Sequence, residues 1–133
     1  MTDNNDLVME WYKFAMRDFD SAKYLCGMHP KPLEIICYHC QQSVEKFFKG
    51  FLVANKIEPP KIHDLVQLRI MCSEIKNDFE ELKVVSQFLT SFGSQPRYPN
   101  EIEIFEPDME KALQSVQDTI DFFEAKGIKL KPD

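Results

Sequence analysis

The stretch PLEIICYHCQQSVEKFFKGFLVA, residues 32–54, decides the fold. Ile36, Cys37, Cys40, Val44, Phe47, Phe48, Phe51 and Leu52 recur at three- and four-residue steps, which places them on one side of an α-helix. Gln41, Gln42, Glu45, Lys46 and Lys49 form a polar strip along the other side. Pro32 suits a first helical turn, where its missing N–H is not needed. Gly50 is a weak point, although an isolated glycine is tolerated in a helix.

Working outward, turn residues at 27–32, 55–61 and 93–99 and at Gly127, with a weaker Asn-Asp signal at 76–78, leave four more helical segments. Residues 6–26 carry Leu7, Trp11, Phe14, Ala15, Ala22 and Leu25 as an apolar stripe, with Asp18 on the same stripe. A carboxylate among core positions requires a partner. Residues 64–75 begin at Asp64, an N-cap with Gln67 at the capping-box position, and bury Leu65, Leu68, Cys72 and Ile75. Residues 78–92 repeat the cap pattern with Asp78 and Glu81 and turn Phe79, Leu82, Val85, Leu89 and Phe92 inward. Residues 107–125 start at Pro107, stop before Gly127, and carry Met109, Ala112, Val116, Ile120 and Phe123. No strand pattern competes. The expected fold is all-α: an antiparallel up-and-down bundle of four to five helices in one domain spanning residues 1–133.

Composition agrees. The 133 residues are 44% hydrophobic and 29% charged, with a net charge of -6. That length suffices to bury about two thirds of the unfolded surface in a single core. The acidic balance argues against generic DNA coating but leaves room for a local basic site. No N-terminal apolar region resembles a signal peptide. The longest uncharged stretch, 84–96, is too short and polar to span a bilayer, so a cytoplasmic, membrane-free protein is expected. Its four cysteines, Cys26, Cys37, Cys40 and Cys72, are then free thiols. The Cys37-x2-Cys40 spacing stands alone on an apolar helix side, and no metal or other cofactor is expected.

Four motifs in order resemble the HEPN family (higher eukaryotes and prokaryotes nucleotide-binding). Trp11, Ala15, Asp18 and Ala22 follow its W-x3-A-x2-D-x3-A pattern. Residues 40–49 are similar to its QQ-x2-EK-x2-K helix, His63-Asp64-Leu65 to its H-D-L, and Arg97-Tyr98-Pro99 to its R-Y-P. The resemblance runs from Trp11 into the last helix. It implies a four- or five-helix bundle, frequent homodimers and an association with small nucleotidyltransferases. Many family ribonucleases carry Arg followed four to six residues later by His. Here no arginine (Arg17, Arg69, Arg97) precedes a histidine (His29, His39, His63) at that spacing, which points away from an enzyme.

Each candidate site has two readings. Gln42, Lys46 and Lys49 share a helix face and can hold a phosphate and a base or ribose edge, or form ordinary i,i+4 pairs on a solvated face. Arg97 and Tyr98 offer a phosphate fork and a stacking surface; alternatively Arg97 pairs with Asp18 and pins a loop. His63-Asp64 is an acid–base dyad, or a helix cap with His63 bonded to another loop. Phe47 or Phe48 is the candidate for an exposed aromatic homodimer surface. The resulting expectation is a nucleotide- or substrate-binding subunit that partners a separate small nucleotidyltransferase, with Gln42, Lys46, Lys49, Arg97 and Tyr98 on the ligand. The alternatives are a ribonuclease with a non-standard site using His63 and Arg97, or a structural partner without a ligand site.

Overall fold

The computed structural model of the protein describes residues 3–93 and 103–132. Five α-helices are present among them: α1 (Asn4–Leu25), α2 (Leu33–Ala54), α3 (Leu65–Ile75), α4 (Lys83–Leu89) and α5 (Glu106–Ala125). The described residues contain no strand, and the fold is the all-α bundle expected. No described helix is long and apolar enough to cross a membrane.

The α1–α2 hairpin sets the rest. Asn4 donates to the Val53 carbonyl at 3.1 Å, and Ser43 Oγ donates to the Ala15 carbonyl at 2.7 Å. Partner numbers fall as residue numbers rise, so the helices are antiparallel. Small residues at the seam, Ala15 and Ala22 on α1 and Ser43 and Gly50 on α2, are all buried and let the two backbones approach closely. At Gly50 a Cβ would stand 2.6 Å from Tyr12 Cε1 and 3.0 Å from Trp11 Cβ. What the sequence marks as a weak point is therefore a close-approach site.

The face of α1 against the core is Val8, Tyr12, Ala15, Phe19 and Ala22. This corrects the stripe read from the sequence. Leu7 is 45% exposed and Phe14 40%, while Trp11 and Leu25 are half-buried. The helix carries two adjacent apolar stripes, and the one with smaller residues fits the tight α2 seam.

On α2 the eight expected apolar positions are all buried. Phe47 and Phe48 are both fully inside, which removes them as an exposed dimer surface. Phe47, Phe51, Phe79, Phe122 and Phe123 form an aromatic core, with the Phe51 and Phe79 centroids 4.5 Å apart and Phe79 and Phe122 at 4.9 Å. The T-shaped and tilted ring pairs follow the edge-to-face preference of aromatic quadrupoles.

The remaining elements are local. Asp64 caps α3 as expected, accepting from the backbone N–H of Val66 at 2.9 Å and of Gln67 at 3.3 Å. Ile75, expected inside, is 37% exposed. The single helix expected over 78–92 is broken into a 3-10 stretch (Asn77–Leu82), α4, and a 3-10 turn (Thr90–Phe92). Asp78 does not cap it: its carboxylate lies 2.8 Å from Lys126 at the end of α5. Phe79 meanwhile is drawn into the aromatic core, and the tighter 3-10 winding accommodates both demands. Helix α5 starts at Glu106, where Asp108 accepts from the Phe105 N–H at 2.9 Å, and stops before Gly127, whose φ of +74° suits glycine. Its five expected core residues are all buried.

Gly50→Ala tests the hairpin. An exposed helical Gly→Ala change stabilises by about 1 kcal/mol. Here the new methyl group must displace Tyr12, and overpacking of this kind costs about 1–3 kcal/mol. Urea denaturation should give a lower midpoint than the wild type; an unchanged or higher midpoint would show that the seam has slack.

Candidate functional site

Helix α2 is covered by α1, α3, the α4 region and α5, so most of its polar strip is not a solvated face. Gln41, Glu45 and Lys49, one helical turn apart, are all buried. Glu45 is the centre of this line. Its Oε2 accepts from Lys49 Nζ at 3.0 Å, and its Oε1 accepts from Gln41 Nε2 at 3.2 Å and from Gln42 Nε2 at 3.5 Å. His63 Nδ1 stands 3.1 and 3.2 Å from the two carboxylate oxygens. Gln41 also donates to the His63 carbonyl at 2.9 Å, and Gln42 to Gln41 Oε1 at 2.7 Å. Gly93, the last described residue before 94–102, lies against this cluster: a Cβ there would meet Gln41 Nε2 at 3.0 Å.

The cluster is graded in depth. The side chains of Glu45 and Lys49 are 5% and 8% exposed, whereas that of His63 is 68% exposed. With Nδ1 turned to the carboxylate, Nε2 is the nitrogen available to solvent or a ligand. His63 is thus joined to helix α2 rather than to a loop. Asp64 serves as the α3 cap, so the two adjacent residues do not form a dyad; Glu45 is the carboxylate that orients His63.

A second cluster lies on the α1 side of α2. Asp18 Oδ1 is 2.9 Å from His39 Nδ1, and Asp18 Oδ2 pairs with Lys46 Nζ. The partner that Asp18 requires is supplied by two α2 residues. Arg97, the partner read from the sequence, lies with Tyr98 outside the described residues. Both clusters have the same composition, one carboxylate between a lysine and a histidine. They divide the expected ligand set: Gln42 and Lys49 belong to the Glu45 cluster and Lys46 to the Asp18 cluster, and both lysines already hold a carboxylate.

Cys37, Cys40 and Cys72 are buried, and Cys26 is half-buried. Burial pushes the three inner thiols up, Cys37 to about 12, so they are protonated and weakly nucleophilic at neutral pH. Among the described residues no three His, Cys, Asp or Glu side chains are grouped to hold a metal ion.

Sequence reading does not single out Glu45 and His39 as centres. Lys46 follows His39 by seven residues, two helical turns, which is a usable sign that both face one carboxylate on α1. The Glu45–His63 contact joins residues 18 apart and has no periodic signature.

Compared with known proteins, the chain matches the family model described as the HEPN domain over residues 8–126. No curated protein and no solved structure matches it significantly.

The Glu45–Lys49 pair is open to a double-mutant cycle. Lys49→Met alone strands a buried carboxylate, and breaking such a pair costs about 3–5 kcal/mol. Adding Glu45→Gln to Lys49→Met should recover most of that loss. If the double variant is as unstable as the single, the pair is not the source of the effect.

Proposed function

The chain belongs to the HEPN domain family, and from that membership we propose that it is a cytoplasmic, homodimeric binding subunit for a nucleotide or a similar phosphate-bearing substrate, working beside a separate small nucleotidyltransferase. The observation that carries the binding reading is the Glu45 cluster. A buried charged group is weak evidence for stability, since apolar replacements of similar volume are often neutral or stabilising. This one terminates in a solvent-facing imidazole held in a defined orientation, with the half-buried Gln42 beside it. Such an arrangement suits a ligand better than a core.

In this reading the expected residues take unequal parts. His63 Nε2 and Gln42 reach the ligand. Lys49 is too deep for direct contact and pairs with Glu45. Lys46, about a quarter exposed, keeps Asp18 and offers its remaining ammonium protons. Arg97 and Tyr98 supply a phosphate fork and a stacking ring from the segment that follows Gly93. A second reading, ribonuclease activity, is favoured by one observation: a carboxylate-oriented, exposed histidine is a competent acid–base group.

Thermal shift against nucleoside mono-, di- and triphosphates separates these readings. Lys46→Ala and Lys49→Ala are poor probes, because each removes an internal ion pair; His63→Ala and Gln42→Ala are better. A binder gains stability with ligand concentration, about 2.7 kcal/mol at a hundredfold excess over Kd, and both variants should lose that gain. No shift with any nucleotide in the wild type would sink the binding reading. Multiple-turnover RNA cleavage abolished in His63→Ala would install the ribonuclease reading instead.

A further inference from the structure

The outward side of helix α1 carries its charges in sorted order. Asp6, Glu10, Lys13 and Arg17 are all exposed and recur at four-, three- and four-residue steps, so they form one row along the helix. From the N-terminus the row runs acid, acid, base, base. Neighbours one turn apart are therefore of like sign, Asp6 with Glu10 and Lys13 with Arg17, an arrangement that disfavours an isolated helix. Among the described residues none of the four makes an ion pair within the chain, not even Glu10 with Lys13, three positions on. The charges are sorted at a cost, and nothing inside the described chain offsets it.

Apolar surface flanks the row on both sides. On one side are Leu7, 45% exposed, and Phe14, 40% exposed, two helical turns apart. The Arg17 guanidinium stands 4.9 Å above the Phe14 ring and so ties the basic end of the row to this pair. On the other side the row borders an open depression of about 780 Å³, with the half-buried Met9 and Met16 in its lining. Methionine side chains are flexible enough to repack around an incoming group.

A row of two acids followed by two bases is its own complement when reversed. Turned end for end, it sets position 6 opposite 17 and position 10 opposite 13, both about a centre between residues 11 and 12. The same reversal brings position 7 opposite 14 about a centre between residues 10 and 11. The two centres differ by a single residue, about 1.5 Å of helix rise, so one placement serves the charged row and the apolar pair together. A parallel copy would instead set like charges against each other.

We propose that this face of α1 is where a second copy of the chain docks, with the two α1 helices antiparallel. Asp6 pairs with the partner's Arg17, Glu10 pairs with the partner's Lys13, and Leu7 packs on the partner's Phe14. A twofold interface is self-complementary, so each of these contacts is made twice. The proposal rests on the homodimer in the function above, which the burial of Phe47 and Phe48 leaves without a face.

The test is analytical ultracentrifugation of the full chain at low salt, where exposed charges are least screened. Two charge-reversed variants are compared with the wild type, Asp6→Lys/Glu10→Lys and Lys13→Glu/Arg17→Glu. All four side chains are exposed, and circular dichroism checks that each variant folds. In either variant alone the row carries one sign, and like charges meet across the interface. Each should dimerise about tenfold more weakly or worse. Mixing the two variants sets a basic row against an acidic one and should restore a dimer of wild-type strength, as should the fourfold variant that carries both reversals. A wild type that stays monomeric at every concentration overturns the face and the homodimer together. A dimer that both variants retain overturns the face and leaves the homodimer standing. Weakening in both variants with no recovery on mixing overturns the antiparallel pairing.

Discussion

Helix α2 is packed on most of its sides, with only Tyr38, His39, Gln42 and Lys46 half-buried along its middle, and the structure follows from that enclosure. A helix surrounded by four neighbours must be apolar nearly all round or must satisfy its polar groups internally. This one does both. Its phenylalanines build the core with α5 and the Phe79 stretch, and its polar residues are tied to α1 and to the start of α3. Glu45 can lie inside only because Lys49, Gln41, Gln42 and His63 converge on it. The same convergence pins the chain entering α3 onto α2, since the Gln41 side chain holds the His63 carbonyl as well.

How much of this is legible in the sequence depends on whether a residue obeys one period or two. Helices α2 and α5 have a single dominant apolar face, and every core residue read from them is buried. Helix α1 has two. Leu7, Trp11 and Phe14 are the more hydrophobic set and compete for the core on any transfer scale, yet Tyr12, Ala15 and Ala22 win it because the seam is narrow. Seam width depends on Gly50 and Ser43, which lie on the other helix, so no local pattern reveals it. The α4 region fails for a related reason: Asp78 and Phe79 read as cap and core, but both answer to α5. The polar strip is correctly identified by residue and misplaced by environment. Periodicity states which residues share a face and is silent about what will cover it.

The two carboxylate–lysine–histidine groups have equal composition and unequal settings. Asp18 joins two helices across the hairpin, with both of its partners on α2, and its histidine borders an open groove. Glu45 takes its lysine from its own helix and its histidine from the next connection, and it is the more deeply buried. In each the lysine compensates the charge, the carboxylate sets the ring, and one imidazole nitrogen remains for chemistry or binding.

The packing of Gly50 against Tyr12 has a bearing on how such a chain can diverge. The two positions occupy one volume, and a side chain can grow at 50 only if the ring at 12 shrinks or tilts away. Neither change is neutral alone, because a smaller residue at 12 leaves a void beside Phe47 and Phe123. Among related sequences, positions 12 and 50 should therefore vary as a pair or not at all. That covariation would report the width of the hairpin seam from sequences alone, without reference to any ligand.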